Sequence, residues 1–197
     1  IEVGTRAAEV LYDSPDPYTR KVVIDQGGRH GAVLGSPVID EAGVLGQVTR
    51  VYPLTSEVTM VTDKEAAVPV INVRTQQRGV AYGQPETRGM ELRFMAGNAD
   101  VQVGDVLQTS GLDGVYPSGL PVAKVLRVDR RADSAFARIA LAPLARPDSA
   151  RHVLLLEPVS SRLPARPVDA AASGASAAGR HHKPASSVTV TPSGVQP

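Results

Sequence analysis

The sequence predicts an all-β protein, and three observations carry that prediction. Short apolar runs, about a dozen of them, are separated by Gly, Pro and Asp turns at the spacing of a sandwich or barrel. No segment sustains the 3.6-residue period of an amphipathic helix. Only 4 % of the 197 residues are aromatic and none is Trp, so a core must be built from Val, Leu, Ile and Ala.

Taken in order, the first run covers residues 7–12 and ends in Asp13-Ser14-Pro15-Asp16-Pro17, a series of turn formers. Residues 21–25 are β-rich and close on Gly27-Gly28-Arg29-His30-Gly31. Residues 37–40 and 44–52 read as two strands joined by Asp40-Glu41-Ala42-Gly43. In 57–62, Val58 and Met60 share one side and Glu57 and Thr59 the other. Residues 66–73 follow, where Pro69 implies an edge or a bulge. The alternation in 89–95 is the cleanest, with Leu92 and Phe94 expected on one face and Glu91 and Arg93 on the other. Two further strands are predicted over 135–142 and 152–157.

The stretch from Gly104 to Ala123 organises the chain. Gly104, Gly111, Gly114 and Gly119 punctuate two apolar runs, with Pro117 and Pro121 among them. Glycine serves where φ is positive or two backbones nearly touch, proline pre-sets φ, and Asp105 and Asp113 fold back onto nearby N–H groups. The spacing predicts a strand, a tight loop and a return strand over 120–128. An internal echo supports it. From Gly35 to Val51 and from Gly104 to Val128 the chain runs glycine, apolar pair, glycine-marked turn and return strand, ending Gln47-Val48-Thr49-Arg50-Val51 or Lys124-Val125-Leu126-Arg127-Val128. Two related β-units are expected.

Charge and composition exclude several classes. The net charge is +1, divided into a body near −2 and a tail near +3 beyond Pro158, so a nucleic-acid footprint is not expected. There is no cysteine, hence no disulfide or thiol chemistry. No apolar run approaches the roughly 18 residues of a membrane span, and no signal-peptide pattern opens the chain. It begins with Ile1, so a processed protein or an excised fragment is expected. Residues 158–197, rich in Ala, Ser, Pro and Gly, bury too little to offset chain entropy and are expected to be disordered.

His30, Asp63 and Ser110 stand in the order of a chymotrypsin-type triad, which makes a β-barrel serine hydrolase the alternative reading. Against it, Ser110 follows Thr109, whereas the nucleophile of such proteases directly follows Gly-Asp. His181 and His182 lie on the polar tail with no acidic or Cys partner nearby and make a poor metal site. Arg130-Arg131 reads as a solvated hairpin tip rather than a phosphate clamp. No nucleotide-binding glycine motif occurs in a strand-to-helix context, and no cofactor is expected. With Phe94 and Phe136 the only phenylalanines, an aromatic platform for oligonucleotides is poorly supported. A binding or scaffolding protein whose sheet faces and edges meet other proteins remains.

Several motifs resemble the rod shape-determining MreC family. They are Ile24-Asp25-Gln26-Gly27, Gly31-Ala32-Val33, Gly35-Ser36-Pro37-Val38-Ile39, Gly43-Val44-Leu45-Gly46-Gln47-Val48 and Val58-Thr59-Met60-Val61-Thr62-Asp63. Val103-Gly104-Asp105-Val106-Leu107, Thr109-Ser110-Gly111-Leu112, Tyr116-Pro117-Ser118-Gly119-Leu120-Pro121-Val122 and Val153-Leu154-Leu155-Leu156 continue the match. The resemblance implies two small β-barrels, one inserted in the other. Residues 18–85 are expected to form the inserted barrel, and 1–17 with 86–157 the other. It further implies a non-catalytic periplasmic scaffold of the elongation machinery, anchored to the inner membrane by a helix absent from this chain. Its implied partners are MreB, MreD, RodA and the elongation transpeptidase, a penicillin-binding protein, together with self-association as a dimer or filament. Tyr52, Leu54 and Tyr116 are the candidate partner-binding residues, although each equally fits a core or edge position.

Overall fold

Apolar and polar residues alternating with a period of two give a strand one face for a core and one for water. In the computed structural model, which describes residues 4–16, 18–130, 135–146 and 148–162, the apolar runs form twelve strands. The first five are β1 (Thr5–Asp13), β2 (Lys21–Ile24), β3 (Pro37–Ile39), β4 (Val44–Val51) and β5 (Ser56–Met60). Six more follow as β6 (Ala67–Asn72), β7 (Arg78–Gln84), β8 (Gly89–Ala96), β9 (Val106–Thr109), β10 (Pro121–Asp129) and β11 (Phe136–Pro143). The last is β12 (His152–Leu156). The sequence reading leaves out β7, whose apolar pattern is broken by Gly79 and Gly83.

The all-β expectation is met by two closed barrels, paired in the orders β1-β12-β3-β4-β5-β2 and β10-β11-β8-β7-β6-β9. Val22, Ile24, Leu45, Val48, Val58 and Leu155 fill the first core. Val68, Val70, Leu92, Leu107, Ile139 and Leu141 fill the second, and Val44 of the first barrel and Val61, just after β5, pack into that same cluster. The expected edge or bulge at Pro69 is corrected: β6 pairs on both sides without a register shift, and the β9 ladder ends beside Pro69, whose carbonyl accepts the Ser110 N–H at 3.0 Å but whose ring has no N–H to continue it.

The pairing corrects the expected domain boundaries. The inserted barrel is β6–β11, residues 67–143, and not 18–85; its host is β1–β5 with β12, and not 1–17 with 86–157. Strand β2 pairs with β1 and β5, and β12 returns to lie between β1 and β3, so the N-terminal strands cannot be separated from one another. Only residues 61–66 join β5 to β6, with no shift in composition to mark the crossing. The tail expectation over 158–197 is corrected at its start, where Val159–Arg162 form a 3₁₀ turn and the Val159 N–H donates to the Val115 carbonyl at 3.3 Å. Residues from 163 onward lie outside those described.

The internal echo is structural. Numbered along the chain, the second barrel has the Greek-key order 1-2-3-6-5-4, and the first has the same order once β12 is counted ahead of β1. Each barrel is therefore a permuted copy of the other, with β1 and β2 equivalent to β7 and β8, and β3 and β4 to β9 and β10. Gly35 and Gly104 both have positive φ, 85° and 95°, where a Cβ would be strained. Gly35 N–H donates to Val48 and Gly104 N–H to Val125, each at 2.9 Å. Both return strands then bulge one residue later, at Val48/Arg50 and Val125/Arg127.

Strand β8 departs from the expected alternation. Leu92 and Met95 are buried, while Arg93 and Phe94 both face solvent and Phe94 is 71 % exposed. The β11 pairing steps from Met95–Ala137 to Leu92–Ile139, so two β8 residues oppose the single residue Arg138. That is a bulge, which re-aims a side chain. Phe94 absorbs the extra residue with φ 61°, a left-handed conformation that costs a non-glycine residue roughly 1–2 kcal/mol. The expectation that Leu92 and Phe94 share a face is thereby corrected. Phe94→Gly relieves this strain and should leave stability within about 1 kcal/mol of wild type, whereas Leu92→Ala should cost roughly 2–5 kcal/mol. Urea unfolding of the two variants measures the difference.

Candidate functional site

The organising stretch is fastened at both ends by polar side chains. Asp105, beside left-handed Gly104, immediately precedes β9 and is buried. One of its oxygens accepts from Arg74 Nε at 2.8 Å; the other accepts from Asn72 Nδ2 at 2.7 Å, Arg74 at 2.9 Å and the Gln102 N–H at 3.0 Å. Arg74 also holds Asp100, at 2.8 and 3.1 Å. The guanidinium beside it keeps the Asp105 carboxyl well below the usual carboxylate range, with the Gln102 and Asn72 donors adding to the effect and burial opposing it.

At the far end of β9, Thr109 is fully buried. Its hydroxyl donates to the Pro117 carbonyl and accepts the Leu120 N–H at 2.9 Å, and its backbone carbonyl accepts from Gly119 at 2.9 Å. Asp113 Oδ1 accepts the N–H groups of Val115 and Tyr116, at 3.0 and 3.2 Å. These bonds turn Tyr116 inward. It is 4 % exposed and belongs to the core cluster that both barrels share. It also lines a cavity of about 140 Å³ with Gln47, Thr49, Thr59 and Glu65. Burial pushes its phenol well above the ordinary tyrosine range. The candidacy of Tyr116 as a contact residue is corrected: it joins the two barrels. Tyr52 and Leu54, 44 % and 55 % exposed, stand on the loop after β4, which is pinned by Tyr52 N–H to the Thr55 carbonyl at 2.9 Å.

The three residues in protease order are not assembled. His30 lies in a 3₁₀ turn, and its Nδ1 accepts the Gly27 N–H at 3.1 Å. Asp63 accepts the Arg20 N–H at 2.6 Å and the Glu65 N–H at 2.8 Å, so both oxygens serve the backbone. The Ser110 hydroxyl is buried without a hydrogen-bond partner, and neither it nor His30 lines the cavity between the barrels. A nucleophile needs its base within hydrogen-bond reach. Arg130 donates to the carbonyls of Gly97, Ala99 and Val101, each at 3.1 Å, so it braces a loop; Arg131, His181 and His182 lie outside the described residues. No group of three metal-ligating side chains occurs among the described residues.

Sequence reasoning missed one surface. Phe94, Phe136 and Tyr82 meet edge to face, with centroids 6.4 and 6.3 Å from Phe94, and the Arg93 guanidinium lies 4.8 Å from the Tyr82 ring. No signal in the sequence marks it, because the bulge that exposes Phe94 arises from the register with β11.

Residues 10–157 match the family described as rod shape-determining protein MreC, barrel core. The chain is 41 % identical over 153 residues to the cell shape-determining protein MreC of Haemophilus influenzae, covering 78 % of this chain and 44 % of that relative. It thus spans under half the length of the curated relative. The crystal structure of MreC from Pseudomonas aeruginosa is similar at TM-score 0.76 and 36 % identity, covering 78 % of this chain and 99 % of that one. MreC from Helicobacter pylori, solved in complex with penicillin-binding protein 2, shares the fold at TM-score 0.63 and 15 % identity, over 79 % of this chain and 98 % of that one.

Two expectations follow from the fastened loop. A carboxylate held below its unfolded pKa contributes stability that is complete above about pH 4 and is lost as pH falls toward the folded value. Asp105→Asn should therefore cost roughly 2–3 kcal/mol at pH 7 and show a shallower loss of stability than wild type below about pH 4, read from urea midpoints against pH. In thermal melts, Ser110→Ala should be neutral or slightly stabilising, since it removes an unpartnered buried hydroxyl. Gly111→Val should destabilise strongly, since at φ 74° its Cβ would stand 3.0 Å from Ser118 Cβ. Gly119→Val, at φ 89° with open space around it, should lie between them.

Proposed function

Because this chain belongs to the rod shape-determining MreC family, we propose that it is the periplasmic part of a non-catalytic scaffold that organises cell-wall synthesis during elongation. The observation that carries this reading is the match across both barrels, over residues that stand in protease order yet are tied to the backbone or left unpartnered. What remains for function is the outer surface, where Tyr52, Leu54, Phe94 and Phe136 are exposed. Exposed aromatic and aliphatic side chains of this kind mark contacts with other proteins.

The transpeptidase is the first partner in this reading, in line with the complex that Helicobacter pylori MreC forms with penicillin-binding protein 2. RodA, MreD and MreB complete the assembly, a membrane helix outside this chain anchors it to the inner membrane, and copies of the chain associate with one another. Binding can shift the transpeptidase between conformations only by the difference in the scaffold's affinity for them. No covalent step is required of this chain.

Mixing the chain with the purified periplasmic domain of the transpeptidase should give lysine-directed crosslinks that an excess of unmodified chain competes away. A serine-directed fluorophosphonate should leave the chain unlabelled. Labelling that disappears in Ser110→Ala would overturn the scaffold reading in favour of a hydrolase.

A further inference from the structure

The outer face of β7, β8, β11 and β10 carries a groove that the proposed function leaves unassigned. Its larger part, about 750 Å³, runs over Ala140, which lies between Glu91 of β8 and Arg127 of β10 in the register. A small residue flanked by long ones leaves the sheet surface low there. Ligand clefts span about 300–1,000 Å³, so the size is sufficient. A second hollow of about 380 Å³ continues the groove, sharing Glu91 and Arg138 with it and ending on Phe94 and Phe136.

The polar side chains along it are planar, and their charges are largely offset within the groove. Glu91 Oε2 accepts from Arg93 at 3.0 Å and from Gln84 at 2.9 Å, and Arg127 pairs with Asp129 Oδ2 at 2.7 Å. These contacts fall on one oxygen of each carboxylate, which leaves the other to accept from a ligand. Arg138 stands opposite Asp129 in the register and supplies N–H donors beside them. At the far end Phe94 and Phe136 are 71 % and 55 % exposed, with ring planes 87° apart, so each braces the other. The bulge holds Phe94 there at φ 61°, and strain of this kind collects at functional positions.

We infer that this groove binds an uncharged pyranose oligosaccharide, with Glu91, Asp129 and Arg138 holding its hydroxyls and Phe94 and Phe136 packing on a sugar face. A hydroxyl both donates and accepts, so it matches a groove that offers carboxylate oxygens and guanidinium N–H groups side by side. The C–H bonds on a pyranose face carry slight positive charge and pack on the negative face of an aromatic ring. Other ligands meet an obstacle here. A phosphate or an anionic bilayer faces the Glu91 and Asp129 carboxylates, and a cation faces Arg138. An extended peptide finds no open edge among the described strands of the closed barrel. Sugar binding is additional to the scaffold role and does not depend on it.

The test is titration of isotopically labelled residues 1–197 with β-linked hexamers of N-acetylglucosamine and, separately, of glucose, followed by amide NMR shifts. At least one hexamer should shift amides of β8 and β11, with a dissociation constant at or below about 1 mM. Phe94→Gly, which removes the ring together with its strain, and Arg138→Gln, which removes the guanidinium, should each weaken binding by about tenfold or more. Tyr52→Ser, on the loop after β4, should bind as wild type does. Vesicles of phosphatidylglycerol should leave the β8 and β11 amides unmoved. Absence of shifts with both hexamers, shifts confined to other strands, or full affinity in Phe94→Gly and Arg138→Gln would overturn the sugar site. So would vesicles that perturb this face when neither hexamer does, which would assign it to a membrane surface. Any of these results leaves the scaffold role to be decided by the crosslinking described above.

Discussion

Closure of the two sheets is the constraint on which the rest of this structure depends. In each barrel one strand takes up the last open edges: β12 between β1 and β3, and β9 between β6 and β10. Among the described strands no main-chain edge is then left for a partner strand to extend, and extension of exposed edges is how open sheets most readily recruit peptides. In the proposed scaffold role, contacts would then fall to side chains on the outer faces. The sheet edges that composition offered as meeting points are absent from the closed barrels, and the faces remain.

Closure also ties the barrels to each other. The host barrel lacks its sixth strand until the chain has passed through the whole insert, so its completion requires contacts across more than a hundred residues, as in Thr5 opposite Leu156. Non-local pairings of this kind are slow to form because loop closure precedes the gain from contact. Val44 of the host and Val61 of the connecting segment share a core with Tyr116 of the insert, so the two barrels share buried side chains instead of touching only through surface groups. Tyr116 is thus spent on cohesion, and the outer faces are free for other molecules.

The residues in protease order show how one architecture is separated from one chemistry. His30, Asp63 and Ser110 are used as a turn residue, a backbone acceptor and a filler of the loop after β9. A fold hosts many functions, and the site decides which. Here the polar side chains that are best positioned, Asp105, Arg74, Thr109 and Asp113, all hold backbone in place.

The sequence by itself determined the all-β class, the turns around Gly35 and Gly104, the pairing of the two echo units and the family. All of these are local: a period of two, a glycine at positive φ and a return strand a fixed distance on are written in neighbouring residues. Burial of Tyr116, exposure of Phe94, the Asp105–Arg74 clamp and the true limits of the inserted barrel were decided only by the tertiary structure. Each depends on which distant strand lies alongside. Arg138 opposes two β8 residues, β12 returns past the insert to β1, and Arg74 reaches Asp105 across the β6–β9 pair. Period and propensity describe a strand along its own axis, and they carry no information about the register it takes with a neighbour far away in the chain.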